Sequence, residues 1–339
     1  MILVTGATGL VGTYLLAELL SNTNQPIRAL YRSTTKLEKT TAVFLEYADL
    51  QNKKDAFDKI EWFACDIIDI PTLEKVFVGI TEVYHVAGCV SFQSKDIELL
   101  RKINREGTTN MVNLSINFGV EKFCYVSSIA TLNKAPKQPI YTEESHWDPE
   151  LKNSIYAISK YGGEMEVWRA MEEGLNAVIV NPGVILGSGY WNNGSGRLFS
   201  GMKNGSPFYF EGGSGYVDVR DVVKIMRLLM QKNIFKQRYI LVAENWTFKK
   251  SIEHIAKVLG KKPPSKKIPA WALRVISFLE TIIASISNYK AKFSKELLLG
   301  LFEENKYDNS KIKKAINFEF IAIDKSIKEH GLNYIKEKK

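Results

Sequence analysis

The residues Val4-Thr5-Gly6-Ala7-Thr8-Gly9-Leu10-Val11-Gly12 constrain what this chain can fold into more tightly than any other stretch. An apolar run at 2–4 leads straight into three glycines at three-residue spacing, and a helical pattern opens at Leu10. The start of a helix offers unpaired N–H groups and the positive end of the helix dipole. Glycines let backbone approach a pyrophosphate closely, and the third lets the helix pack tightly on its strand. A glycine triplet also serves a merely structural turn, and this G-x-x-G-x-x-G spacing departs from the general G-x-G-x-x-G fingerprint. Its place between a strand and a helix makes dinucleotide binding the expected role, with Gly6, Thr8, Gly9, Leu10, Val11 and Gly12 against the phosphates.

The rhythm that follows fits that start. Short β-branched runs at 2–5, 27–31, 62–65, 82–86, 122–127 and 177–181 alternate with helical patterns near 10–21, 72–78, 97–118 and 154–173. This is the signature of βαβ units and of a parallel sheet covered on both faces. After Pro182 the chain becomes rich in Gly, Asn and Ser over 187–215, as loops that shape a site do. A helix capped by Asp218 buries Val222, Ile225, Met226 and Leu229, and a strand at 238–242 returns to the sheet. Mainly helical patterns follow from Trp246. The expected fold is α/β: a doubly wound Rossmann parallel sheet with a smaller, mainly helical C-terminal substrate lobe. The expected division is a dinucleotide-binding domain of 1–182 plus 216–244 and a lobe of 183–215 plus 245–339.

Composition narrows the classes. With 339 residues and 45% apolar content the chain can bury a large core. The net charge of +9 is spread over lysine pairs such as Lys249-Lys250 and Lys313-Lys314, with no basic stripe interleaved with aromatics, so no nucleic-acid partner is expected. Cys65, Cys89 and Cys124 show neither disulfide nor zinc spacing and are expected to be buried, reduced thiols; no metal is expected. The 2–4 strand leaves no room for a secretory leader, which makes the expected location cytoplasmic. The apolar tract 268–287, interrupted by Arg274 and Glu280, reads as a lobe helix, with monotopic membrane contact as the alternative.

Cofactor choice falls about 20 residues beyond the glycines, where an acid would hold a ribose 2′-hydroxyl and a base a 2′-phosphate. Here the second strand runs Arg28-Ala29-Leu30-Tyr31-Arg32-Ser33, without an acid before Glu38. Arg32 is the expected phosphate clamp, favouring NADP(H) over NAD; a strand-end arginine free of any ligand is the plainer alternative.

Tyr156 and Lys160 stand four apart and share one helix face. Tyr307/Lys311 and Tyr334/Lys338 repeat the spacing, but only the first pair opens a helix just after the strand ending in Ser127 and Ser128. Together with Asp66-Ile67, His85-Val86-Ala87-Gly88, Asn104, Gly107-Thr108, Asn181-Pro182-Gly183-Val184 and Tyr216-Val217-Asp218-Val219-Arg220-Asp221, these residues give the chain a plain resemblance. It resembles the extended short-chain dehydrogenase/reductases, nearest the dihydroflavonol reductase and 3β-hydroxysteroid dehydrogenase branch, with ordered matches over 2–221. The family often has a second alanine where Gly88 stands. The resemblance implies that Asp66 and Ile67 flank adenine, Ala87 and Gly88 pass the ribose and pyrophosphate, and Pro182 and Val184 line the nicotinamide. It further implies a catalytic set of Ser128, Tyr156 and Lys160, with Ser127 holding the strand end or the cofactor and the two serines open to exchange of roles, and a homodimer as the family habit. His85 and His146 are assigned bland roles, and Asn104 either braces its helix and an ordered water or acts directly.

The chemistry asked of that set is demanding. A carbonyl oxygen gains negative charge as hydride arrives, so a proton donor must stand within hydrogen-bond reach. Bringing a tyrosine from a pKa of about 10 to about 7 takes roughly 4 kcal/mol. An ammonium at about 4 Å supplies about 1 kcal/mol in water and about 4 at the effective dielectric of a protein, so Lys160 suffices only in a closed pocket. The leading expectation is an NADP(H)-dependent reductase of a small aldehyde or ketone, or the reverse oxidation of a secondary alcohol. The alternatives are a nucleotide-sugar epimerase or dehydratase, which needs cations such as Arg197, Lys203 and Arg220 on a diphosphate, and a non-catalytic NADP(H)-binding module. Phe92, Trp191, Phe199, Phe208 and Tyr209 either face an apolar substrate or fill the lobe core.

Overall fold

The computed structural model describes residues 1–48, 50–133, 139–269, 271 and 300–338. Twelve strands lie in it: β1 (Ile2–Thr5), β2 (Ile27–Tyr31), β3 (Glu61–Ala64), β4 (Glu82–His85), β5 (Lys122–Val126), β6 (Ala177–Pro182), β7 (Val184–Leu186), β8 (Phe208–Tyr209), β9 (Gly213–Asp218), β10 (Gln237–Leu241), β11 (Glu244–Thr247) and β12 (Lys266–Lys267). The helices that cover them are α1 (Leu10–Asn22), α2 (Thr34–Tyr47), α3 (Lys53–Asp58), α4 (Ile70–Phe77), α5 (Ile97–Leu100), α6 (Gly107–Asn117), α7 (Ile155–Glu172), α8 (Arg197–Gly201), α9 (Val219–Gln231), α10 (Phe248–Val258), α11 (Ser310–Ile316) and α12 (Ile323–Glu337).

The central sheet has seven strands in the order β10-β6-β5-β4-β1-β2-β3, and every pairing is parallel. Alternation along each strand feeds two cores. Ile2, Val4, Tyr84, Cys124, Val126, Val178 and Val180 point to one face, and Leu3, Val83, Phe123, Tyr125, Ala177 and Ile179 to the other. The strand order reverses direction between β1 and β4, and the carboxyl ends there are the place where such sheets bind ligands. A smaller sheet, β11-β9-β7, packs Leu186, Trp191, Phe199, Tyr216 and Trp246 against α10 and α12.

The structure departs from the sequence reading in several places. The connection between β2 and β3 contains α2 and α3, whose weak apolar periodicity hid them. The helix expected over 97–118 is interrupted by a π-helical segment, Arg101–Glu106, which turns Asn104 inward. The 187–215 stretch includes α8 and β8, and β9 opens within it. Trp191 and Phe199 are buried in the lobe core. Cys65 and Cys124 are buried free thiols, whereas Cys89 is half-buried. Most of the 268–287 tract lies outside the described residues; among those described, no helix is long and apolar enough to cross a membrane.

The C-terminal helices are tied to α9 by titratable groups. Asp218 caps α9, is fully buried, and accepts from Arg220, from Ser326 and from His330, whose other nitrogen meets Ser188. Burial alone would raise its carboxyl, but hydrogen bonds and charge from Arg220 and His330 hold it well below the usual range. Asp221, one turn on, accepts the Ile321 N–H at 2.8 Å, and burial pushes its pKa up to about 7. The folded state therefore binds the proton more tightly than the unfolded one between about pH 4 and 7, so this group erodes stability as pH rises through that window. Asp221→Asn keeps an acceptor for Ile321 and removes the buried charge. The expected result is a higher Tm, with a gain about 2 kcal/mol larger at pH 8 than at pH 5. Thermal melts at the two pH values check this, and equal gains would refute it.

Candidate functional site

The turn between β1 and α1 is built by packing. Gly6 has φ of 64°, and a Cβ on it would lie 2.6 Å from the Ala87 nitrogen. On Gly12 a Cβ would lie 2.2 Å from the Gly6 carbonyl oxygen. Both glycines are required by the protein's own backbone. Gly9 is different: a Cβ there meets only the Gly6 oxygen, at 3.4 Å. Gly9 is the N-cap of α1, and no side chain caps it. A bare, uncapped helix start with Thr8 before it and Leu10 and Val11 after it fits an anionic pyrophosphate.

At the end of β2, Arg32 reaches the Asp66 carboxylate at 3.4 Å, with the two side chains 50% and 41% exposed. An exposed pair of this kind is worth about 0–1 kcal/mol, so it hardly hinders Arg32 from taking another anion. Both line a groove of about 420 Å³ with Ile68, Asp69, Leu99, Lys102 and Ile103. Ile67 turns inward instead, into the core against the bare face of Gly107, so the side chain lining the groove is that of Ile68. Lys102 is a cation in this wall that the sequence reading did not single out.

The loop after β4 is held from beneath. The Ala87 N–H donates to Thr5 Oγ1 (3.1 Å), which meets His85 Nδ1 at 2.7 Å. On the other side, His85 Nε2 lies 3.0 Å from Thr108 Oγ1, which donates to the Asn104 carbonyl. Burial, followed by the charge of Lys160, holds the His85 pKa down to about 3, so the ring is neutral. Asn104, fully buried, accepts the Cys89 N–H (2.7 Å) and donates to the Cys89 carbonyl and to Ser159. Asn104 is thus a brace for the Ala87-Gly88-Cys89 loop.

Ser128 and Tyr156 come together at the carboxyl end of β5. The Ser128 side chain lies close enough to the Tyr156 phenol to bear on its acidity, and its hydroxyl accepts from Ala130 N–H. Ser127 faces away and donates to Glu164 at 2.6 Å. Burial raises the Tyr156 phenol above its ordinary range, Ser128 opposes this, and Cys89 adds to it. Lys160 is buried, and burial brings its pKa down to about 7 against the opposing charge of Glu164. Its ammonium donates to the Val126 carbonyl (2.7 Å) and to Tyr125 Oη (2.9 Å), and a Cβ on Gly88 would lie 3.9 Å from it. The expected lowering of Tyr156 by Lys160 is therefore not realised in this arrangement, because the ammonium is turned toward β5.

Sequence reasoning missed Glu164. It is fully buried and accepts from Ser127, Thr131, Asn181 and Arg238, which ties the ends of β5 and β6 to α7. Its position four residues beyond Lys160, on the same helix face, was the available signal. Pro182 ends β6 and Val184 opens β7, on either side of Gly183, whose Cβ would strike the Gly215 oxygen at 2.3 Å. Of the five aromatics, Phe92 reaches the site, packing edge-on against Tyr156 at 5.7 Å. His146 is exposed and lines a separate groove with Glu143, Trp147, Tyr161 and Arg238. Among the described residues no group of His, Cys, Asp or Glu is arranged to hold a metal.

A parallel sheet with a glycine-lined helix start at its carboxyl edge, beside a Ser-Tyr-Lys cluster, defines the class of Rossmann-fold dinucleotide-dependent enzymes. The profile of the NAD dependent epimerase/dehydratase family matches residues 2–243. The chain belongs to that family, within the extended short-chain dehydrogenase/reductases, whose members are NAD(P)-dependent oxidoreductases and epimerases acting on small molecules. It is 30% identical, over 82% of its length and 78% of the relative's, to a candidate dihydroflavonol 4-reductase of Synechocystis. Its fold is similar to that of yeast methylglyoxal/isovaleraldehyde reductase complexed with NADPH (TM-score 0.75, 22% identity, 99% and 98% of the two chains). It is equally similar to UDP-glucose 4-epimerase of Thermotoga maritima with UDP-glucose (TM-score 0.77, 18% identity, 100% and 99%).

Proposed function

We propose that this chain is an NADP(H)-dependent reductase of a small aldehyde or ketone, working also as the dehydrogenase of the matching secondary alcohol. The observation that carries the reading is the placement of the Ser128 side chain beside the Tyr156 phenol at the carboxyl end of β5, one helical turn from Lys160. Bound NADPH supplies the hydride. Ser128 and Tyr156 hold the substrate oxygen between them, and Tyr156 gives that oxygen its proton as charge develops on it. Lys160, whose ammonium faces the Gly88 loop rather than the phenol, supplies positive charge on the cofactor side of the site. Gly6, Thr8, Gly9, Leu10, Val11 and Gly12 hold the pyrophosphate, and Ala87 and Gly88 pass the ribose. Asp66 and the Ile67 backbone stand by the adenine, and Pro182 and Val184 line the nicotinamide. The same reading assigns 1–182 with 216–244 to the dinucleotide and the remainder to the substrate.

A nucleotide-sugar epimerase is less well supported. Of the three cations available for a diphosphate, Arg220 is engaged by Asp218 and Glu329, each at 2.7 Å, and Arg197 donates to the Asn192 carbonyl. Several relatives carry reductase names, among them a cinnamoyl-CoA reductase of rice and a dihydroflavonol 4-reductase/flavanone 4-reductase of apple.

The test is purified protein with NADPH or NADH and a panel of aldehydes, ketones and nucleotide sugars, followed by absorbance. The reading expects carbonyl-dependent consumption of NADPH. Turnover of nucleotide sugars alone would overturn it. Arg32→Asp removes a charge-assisted contact worth roughly 1.5–3 kcal/mol, so Kd for NADPH should rise about 10- to 100-fold while NADH is spared. An unchanged NADPH/NADH ratio would remove Arg32 as the 2′-phosphate ligand.

A further inference from the structure

The ammonium of Lys160 has a buried partner that the chemistry above does not use. Tyr125 lies on β5, fully buried, with its hydroxyl 2.9 Å from Lys160 Nζ and its ring 4.4 Å beneath the same ammonium. Thr108 Oγ1 lies with that hydroxyl against the bare face of Gly163, and the ring stacks on His85 at 5.6 Å and 22°. Thr108 is in turn bonded to His85 and to the Asn104 carbonyl. The hydroxyl has room because α7 carries a glycine opposite it. A Cβ on Gly163 would lie 2.6 Å from Tyr125 Oη and 2.2 Å from the Asn104 oxygen. A mid-helix glycine costs about 1 kcal/mol relative to alanine, and here it admits the phenol and the braced segment together.

We propose that Tyr125 is a positioning residue for Lys160: its hydroxyl, backed by Thr108, holds the ammonium charged and fixed under the Gly88 loop. This rests on the assignment of Lys160 to the active site made above. Two acceptors, Tyr125 Oη and the Val126 carbonyl, take two of the three N–H groups of an ammonium that is otherwise largely out of water. The charged and titratable groups facing Lys160 are Glu164 and Tyr156 from its own helix, Tyr125 from β5, and His85 from β4. Glu164 favours the charge, and neutral His85 adds none. The Tyr125 oxygen is then the contact that can be deleted without changing any charge in the surroundings.

Tyr125→Phe performs that deletion and keeps the ring face under Lys160. Protein labelled with ¹³C at lysine Cε, with the Lys160 signal identified by its loss in Lys160→Met, reports the lysine titration directly and needs no substrate. Losing one hydrogen bond to a charged donor should lower the midpoint by about one pH unit. The alkaline limb of kcat, read with NADPH and any carbonyl that the wild type reduces, should move to lower pH by a similar amount, while kcat near pH 6 changes little. A midpoint that does not move overturns the proposal, even if Tm falls, since a purely structural role would lower Tm and leave the titration in place. Should Tyr125→Phe fold poorly, Thr108→Val gives the same reading: a smaller shift in the same direction supports the proposal, and none refutes it. A wild-type protein that reduces no carbonyl would sink the reductase reading while leaving the lysine titration to decide this one.

Discussion

Tyr156→Phe is expected to lower kcat by about 10²- to 10⁴-fold, the range a positioned general acid supplies. It should leave Kd for NADPH within about twofold, because the phenol ring and its packing against Phe92 remain. The physical reason is that only the hydroxyl can deliver a proton to the substrate oxygen. Ser128 has no comparable acidity, and Lys160 is occupied by the Val126 carbonyl and Tyr125. Burial holds the Tyr156 phenol above its ordinary range, so as an acid it stays protonated across neutral pH. The alkaline limb of reduction is then expected not from the phenol but where Lys160, brought down to about 7, loses the charge that faces the Gly88 loop. Steady-state rates from pH 6 to 9, with NADPH binding followed by nicotinamide fluorescence, test this. Turnover of Tyr156→Phe within tenfold of the wild type would take tyrosine out of the mechanism.

The second large effect is expected at the other end of the cofactor. Gly12→Ala places a Cβ 2.2 Å from the Gly6 carbonyl oxygen and 2.6 Å from Ala7 Cα, both backbone atoms that cannot rotate away. Either α1 lifts off β1 or the turn opens, and in both cases the first-turn N–H groups leave their positions. Kd for both NADPH and NADH should rise more than about tenfold, with a loss of about 1–3 kcal/mol in stability from the forced shift. Gly9→Ala is the control, since its Cβ meets no protein atom closer than 3.4 Å. It should melt close to the wild type, yet bind dinucleotide more weakly if a phosphate approaches that face. Calorimetric titration alongside melting separates the two. Unaltered affinity in Gly12→Ala would mean that the turn does not carry the pyrophosphate.

Much of the fold was legible because it depends on local periodicity. Strand limits at β1, β2 and β6 agree with the apolar runs to within a residue, and the glycine spacing marks the first crossover without ambiguity. What escaped was decided by partners far along the chain. The helices between β2 and β3 gave no clean stripe, because α2 buries only Thr40, Val43 and Phe44. The π-helical turn at Asn104 exists to meet Cys89 and Ser159, contacts 15 and 55 residues away. Neighbouring residues at the site point in opposite directions for the same reason. Ser127 is drawn to Glu164 while Ser128 meets Tyr156, and Ile67 enters the core while Ile68 lines the groove.

By itself, then, the order of residues determined a parallel sheet covered on both faces, a glycine turn at its first crossover, and a tyrosine and a lysine on one face of the helix after β5. These follow from period-two and period-3.6 patterns and from glycine's freedom, which are properties of neighbours in the chain. Tertiary structure alone decided which hydroxyl, carbonyl or carboxylate each of those side chains meets. Lys160 was turned to Tyr125, Glu164 became the knot beneath the strand ends, and Arg220 was claimed by Asp218, because a buried charge takes whichever partners the packed sheet and helices bring within reach.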